Sequence, residues 1–178
     1  MGAKKRHAPD DGLTYLIPER AIGLTEKVLL EYGRLLPSHE GLVYWAGRRE
    51  GEVATVTTVI APKVSSGPGR AATSARANFD VVRTLSDSGL TQIAQVHSHP
   101  GRWSDHSEGD DRLTAFRVNG LVSIVVPHYC RAGMHPLTTC GIHRYGAGTF
   151  LRLSDAYVRK HFRVLAGSDA RLKDLRGL

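Results

Sequence analysis

The stretch His97-Ser98-His99-Pro100-Gly101-Arg102-Trp103-Ser104-Asp105-His106-Ser107-Glu108-Gly109-Asp110 leaves the chain little freedom in local structure. On a strand, residues two apart project from one face, so His97 and His99 aim at one point while Ser98 turns away. Pro100, Gly101 and Ser104 then favour a reversal, and a following helix would return Asp110 from its first turn. Asp111 is the rival, but on a helix it lies about 100° round from Asp110, so only one of them can face the histidines. The spacing to Ser107 favours Asp110. Two imidazoles and a carboxylate suit a catalytic zinc, which keeps three protein ligands and leaves a fourth position to water. Singly, the fragments have ordinary readings: His-x-His is common as surface or hydrogen-bonded histidine, and Ser-x-x-Asp caps many helices. Together, beside a proline-glycine reversal, they favour a metal.

With 178 residues the chain is long enough for one domain with a real core. Its net charge of +7 comes mostly from arginine, which suits planar recognition of carboxylate or phosphate, so an acidic protein and nucleic acid are both open as partners. Two cysteines, Cys130 and Cys140, are too few for a disulfide framework. The basic start Met1 to Arg6 is followed by no apolar stretch of signal-peptide length. The longest apolar run, Leu121 to Pro127, is too short to cross a bilayer. These features predict a cytoplasmic protein without a membrane anchor.

Residues 1–12 are polar and aperiodic and read as a flexible arm. The domain is expected over 13–165, with 166–178 as a basic tail. Pro18 can open an amphipathic helix carrying Ala21, Ile22, Val28, Leu29 and Leu36. Gly41 to Ala46 and Val53 to Ile60 read as a β-hairpin about the Gly47–Gly51 turn. Pro62 to Ala72, rich in turn formers, reads as a mobile loop. A helix over Ala77 to Leu85 stops near Gly89, and Thr91 to Val96 returns to strand. Beyond the histidine stretch come a helix over Asp111 to Val118, a buried strand over Leu121 to Val126, and strands over Thr138 to Tyr145 and Thr149 to Leu153. Ser154 can cap a closing helix through Leu165. The fold class is α/β, a mixed sheet covered by helices, in a single domain.

A zinc-activated water needs a carboxylate outside the ligand set to accept its proton and pass it to the leaving amine. Glu40, immediately before the strand Gly41-Leu42-Val43-Tyr44-Trp45-Ala46-Gly47, is the best upstream candidate. Its ordinary alternative is a solvated charge.

The run His-x-His, seven residues, Ser, two residues, Asp, filled without a gap from His97 to Asp110, resembles the JAMM motif of the MPN (Mov34/PAD-1, JAB-domain) metalloproteases. Glu40 and the strand after it are similar to the family's glutamate-bearing segment, and the resemblance covers about residues 13–165. It implies a cytidine-deaminase-like α/β fold, one catalytic Zn2+ on His97, His99 and Asp110, Glu40 as general acid/base, and Ser107 donating to the oxyanion. It also implies cleavage after the C-terminal glycine of a ubiquitin-like protein, by deconjugation or precursor processing. The short loops resemble compact prokaryotic members, which accompany ubiquitin-like activating and conjugating enzymes in antiphage systems, or sulfur-carrier proteins. The modifier's tail is expected to add as a strand beside the site.

Two other constellations remain. Cys130, His135, Cys140 and His143 could hold a second, structural zinc, although their spacing matches no standard finger and buried cysteine with surface histidine is the ordinary alternative. The basic segment Arg159 to Arg163, continued by Arg171, Lys173 and Arg176, reads as a solvated helix face. It keeps open a RadC-like, nucleic-acid-associated role, for which steep salt dependence would be the sign; nucleic acid is not the expected partner. A scaffold role fits poorly with five filled catalytic positions. Asp105 and His106 are expected to shape the loop without ligating.

Overall fold

The computed structural model describes residues 7–177. Its first strand, β1 (Thr14–Pro18), leads through Pro18 into α1 (Glu19–Gly33), whose buried Ala21, Ile22, Thr25, Val28 and Leu29 form one helical stripe. The hairpin follows as β2 (Leu42–Glu50) and β3 (Val53–Ala61), with the reversal at Gly51, whose φ is 57°. Gly47 lies within β2 at a bulge, not in the turn.

The Pro62 to Ala72 segment is not an open loop. β4 (Val64–Gly67) and β5 (Arg70–Thr73) pair antiparallel about Pro68-Gly69, so the turn formers make the tip of a second hairpin. Then come α2 (Ala75–Ser88), capped by Ser74 and ended by left-handed Gly89, β6 (Thr91–Ser98), α3 (Glu108–Leu113) and β7 (Val122–Val126). β8 (Gly141–Gly146), β9 (Thr149–Arg152), α4 (Asp155–His161), β10 (Phe162–Leu165) and β11 (Arg171–Asp174) complete the described chain.

The large sheet runs β10-β1-β3-β2-β6-β7-β8-β9, with β11 also on β3. β6 and β7 are parallel and β2 and β6 antiparallel, which makes the sheet mixed. On one face α1 covers a core that includes Val43, Trp45, Val96 and Ile124; Trp45 Nε1 donates to Thr25 Oγ1 at 2.7 Å. On the other, Val81 of α2 packs with Leu42, Tyr44, Ala46 and Ile60. The alternation along β2 divides its residues between these two layers.

Other expectations need correction. The helix after the histidine stretch covers Glu108–Leu113, not Asp111 to Val118. Thr114 bonds its hydroxyl back to the Asp110 carbonyl, and Phe116 is drawn onto the Tyr44 ring 5.6 Å away. The closing helix stops at His161, and Phe162 begins β10, stacked on Tyr15 at 4.4 Å. The segment 166–178 is no detached tail: Arg171–Asp174 pairs in parallel with Thr58–Ala61, and Leu175 is buried. The arm is also tied down where it is described. Asp11 pairs with buried Arg144 and accepts from the Tyr157 hydroxyl, since a buried guanidinium demands a carboxylate. Residues 1–6 of the expected arm lie outside the described residues.

Candidate metal centre

The site grows from the C-terminal end of β6. Antiparallel pairing sets His97 opposite Leu42, and one step on, the Ser98 N–H donates to the Gly41 carbonyl while Ser98 Oγ accepts from the Gly41 N–H at 3.0 Å. Continued one more step, this register sets Glu40 across from His99. Beyond His99 the loop folds back over β8, and a Cβ at Gly141 would lie 1.5 Å from the Ser104 carbonyl oxygen. A bare backbone at Gly141 is what lets the loop bring α3 over the histidines.

α3 starts with a reciprocal capping box: Ser107 Oγ accepts from the Asp110 N–H at 3.0 Å, and Asp110 Oδ2 accepts from the Ser107 N–H at 2.7 Å. That bond fixes the carboxylate toward β6. His97 Nε2 and His99 Nε2 are 3.2 Å apart, with Asp110 Oδ1 3.5 Å from the first and Oδ2 3.2 Å from the second. Donors held tetrahedrally about zinc at about 2.0–2.1 Å are roughly 3.3 Å from one another, so this donor set fits a metal ion of that size. His99 Nδ1 donates to the Trp103 carbonyl at 3.2 Å, which leaves the Nε2 lone pair free to ligate. Asp111 turns instead to His106 Nδ1 at 3.0 Å.

Electrostatics separates the two nearby carboxyls. Burial alone would raise Asp110, but in the metal-free site hydrogen bonds from protonated His97 and His99, which a bound metal would replace, outweigh it and hold the acid far below the usual range. Glu40, only 4% exposed, is pushed up to about 7, first by burial and then by the Asp110 charge, with His99 opposing. One is thereby suited to ligate and the other to exchange a proton near neutrality.

Several residues of the site escape a local reading. His106 Nε2 meets Ser123 Oγ at 2.6 Å, and Gln95 Nε2 donates to Ser123 Oγ at 3.0 Å and to Thr114 Oγ1 at 3.1 Å. This buried polar chain lies beside the His97–His99–Asp110 cluster; its sequence signal is the intrusion of Gln95 and Ser123 into otherwise apolar strands. Burial, helped by the neighbouring His97 and His143, lowers His106 to about 2 and keeps it neutral. Trp103 stacks on His99 at 5.4 Å. Three successive non-glycine residues after β7, His128, Tyr129 and Cys130, have φ of 57°, 53° and 64°, a conformation that costs about 1–3 kcal/mol each.

Among the described residues only His97, His99 and Asp110 form a group of three or more side chains close enough to share a metal. The suggested second zinc is therefore corrected. Cys130 and Cys140 are buried in the α1-side core together with Ile142. His143, the next residue on β8, projects from the opposite face toward Asp105 and His106, and His135 is exposed. Strand alternation separates the sulfurs from that histidine.

No family model matches the chain. A protein of Sinorhizobium fredii described as probable metalloprotease y4jG is 27% identical over 128 residues, spanning 70% of this chain and 77% of that one. Protein DSY2949 of Desulfitobacterium hafniense, known in solution, superposes with a TM-score of 0.61 at 17% identity over 88% of this chain and 94% of its own. The JAB1/MPN domain protein AF2198 of Archaeoglobus fulgidus gives a TM-score of 0.40 at 16% identity, over 88% and 99%.

Proposed function

We propose that this chain, of JAMM/MPN type by its ungapped motif and mixed sheet, is a zinc metallopeptidase that cleaves after the C-terminal glycine of a ubiquitin-like protein. The observation that carries the reading is the convergence of His97, His99 and Asp110 within ligand-to-ligand distance, beside a glutamate raised to about 7. The metalloprotease description of the Sinorhizobium relative supports the reaction class.

Zinc held by His97, His99 and Asp110 would supply Lewis acidity and bring the pKa of water close to neutral. Glu40 then takes the proton from the attacking water on its carboxylate and delivers it to the leaving amine nitrogen. Ser107 Oγ already accepts from the Asp110 N–H, so its own proton is free to be donated to the developing oxyanion. The Trp103 carbonyl keeps His99 in one tautomer throughout. The β4–β5 hairpin flanks this machinery, since Ala71 lines the same cleft as Leu42, His97 and Asp110. An extended tail ending in glycine can pair with such a strand and enter the cleft without a bulky side chain at the scissile bond.

A role beside cognate activating and conjugating enzymes, in a bacterial antiphage system, is the setting that suits this substrate. No described helix is long and apolar enough to cross a membrane. The test incubates the protein with ubiquitin-like fusions from neighbouring genes and follows cleavage by intact mass, with zinc chelation and Glu40→Gln as controls. Release of the modifier at its terminal glycine, abolished by both controls, supports the reading. Cleavage that survives both refutes the mechanism, and cleavage of a cysteine-charged sulfur carrier alone reassigns the substrate.

A further inference from the structure

Tyr129 has no part in the chemistry just derived, yet the turn that carries it is bonded to the end of the His97–His99 strand and, through the phenol, to the tip of the β4–β5 hairpin. Its N–H donates to the carbonyl of His99 at 2.7 Å, and the preceding His128 N–H donates to the Gly101 carbonyl at 2.9 Å. The turn is thus fastened to the metal-ligating strand and to the start of its loop. Its phenol reaches the other way, and the hydroxyl donates to the Pro68 carbonyl at the tip of the β4–β5 hairpin at 2.6 Å. Arg131, whose guanidinium lies 5.6 Å from the Tyr129 ring centre, bonds the Gly33 carbonyl and Ser38 Oγ, on the segment that leads to Glu40. Room for this exists because residue 33 is glycine: a Cβ there would come within 2.8 Å of the Tyr129 carbonyl oxygen.

The hairpin tip is held by a second pair of bonds as well. The Glu40 N–H donates to the Gly67 carbonyl at 2.9 Å, and His39 Nδ1 meets Ser66 Oγ at 3.0 Å. Between these two anchorages the hairpin stands over the cleft with Ala71 beside His97 and Asp110. Three left-handed residues in succession would relax in an unconstrained loop; here every contact of the turn opposes that.

We propose that Tyr129 is a positioning residue, whose hydroxyl clasps the β4–β5 hairpin at Pro68 and fixes the width of the slot between that hairpin and the metal-ligating wall. A substrate's extended segment is then gripped by a hairpin already in place, and the ordering it would otherwise have to supply on binding is avoided.

The inference rests on the peptidase reading for its kinetic consequence only; the clasp itself can be tested without catalysis. In Tyr129→Phe, which keeps the ring and loses the hydroxyl, backbone amides of residues 65–73 exchange hydrogen roughly three- to tenfold faster, the range set by one neutral hydrogen bond. The large sheet exchanges as in the wild type. With a peptidyl-Gly-Gly-aminocoumarin probe, KM rises by a similar factor while kcat stays within about twofold. Ser66→Ala, which loosens the second anchorage and leaves the turn untouched, gives the same pattern. Unchanged hairpin exchange in Tyr129→Phe overturns the proposal, as does acceleration spread evenly over the sheet or faster hairpin exchange with an unaltered KM. If the wild type cleaves neither the probe nor a ubiquitin-like fusion, the peptidase reading fails, and the exchange measurement still decides the clasp.

Discussion

At Glu40, burial and the Asp110 carboxylate together lift the acid to about 7 against the pull of His99. Replacing it with glutamine keeps the shape and removes the proton acceptor, so kcat should fall by about 10²–10⁴-fold, the span for general acid–base groups, with metal content by elemental analysis unchanged. Loss of metal in that variant would mean that Glu40 is a ligand. Ser107→Ala removes the cap and, on the proposed mechanism, the oxyanion donor: about 1 kcal/mol of stability by urea denaturation and about 10²–10³-fold in kcat are then expected to go together. His97, His99 and Asp110 were legible because one strand, one reversal and one helical turn suffice to converge them. Glu40 could be picked from its place before a strand but not told from a solvated charge without the family resemblance, because its place depends on β2 pairing with β6, which no local pattern announces.

The elements behind the ligands carry their own pH dependence. Burial, then Arg152, lowers His143 to about 4 with Asp105 opposing, and burial lowers its neighbour His106 to about 2. In the unfolded chain both imidazoles take up protons as pH falls through the ordinary value of 6.5, whereas the folded chain resists. Their contribution to stability is therefore complete above that value and declines as pH falls from 6.5 toward 4, at up to about 1.4 kcal/mol per unit for each histidine. Denaturation of metal-free protein at pH 7 and pH 5 should show a smaller loss at the lower pH in His143→Gln than in the wild type; an equal loss in the two would contradict the assignment. Gly141→Ala tests the loop crossing, since its Cβ would meet the Ser104 carbonyl at 1.5 Å. A loss of about 2 kcal/mol or more is expected, as for other overpacked sites, together with weaker metal binding as the loop moves. The sequence showed the strands β6 and β7 and both long helices through their apolar patterns. It hid β1, β10 and β11 because each is only four or five residues long and draws its stability from neighbours remote in the chain, and it hid β4 and β5 because their four-residue strands flank a cluster of turn formers that reads as a loop.

Across the molecule, both ends of the described chain are bound to the sheet. His7 bridges to Arg152, Asp11 neutralises Arg144, and β11 lies on the same edge of β3 as β1. Charge-rich composition suggested loose termini; buried Arg144 and the open edge of β3 are what recruit them. Asp11→Ala should thus cost about 1–3 kcal/mol, a partly exposed pair being worth less than a fully buried one, measurable by thermal denaturation. A ligand that binds only the folded state stabilises it by mass action, about 2.7 kcal/mol at a hundredfold excess over Kd, so chelation should lower the melting temperature. The central claim is a metal held by His97, His99 and Asp110 and served, not held, by Glu40. Calorimetric titration of zinc into the metal-free wild type, His99→Ala and Glu40→Gln proteins tests it most directly. One ion per chain in the wild type and in Glu40→Gln, with affinity at least about a hundredfold weaker in His99→Ala, is the predicted result; wild-type affinity in His99→Ala, or its loss in Glu40→Gln, would contradict it.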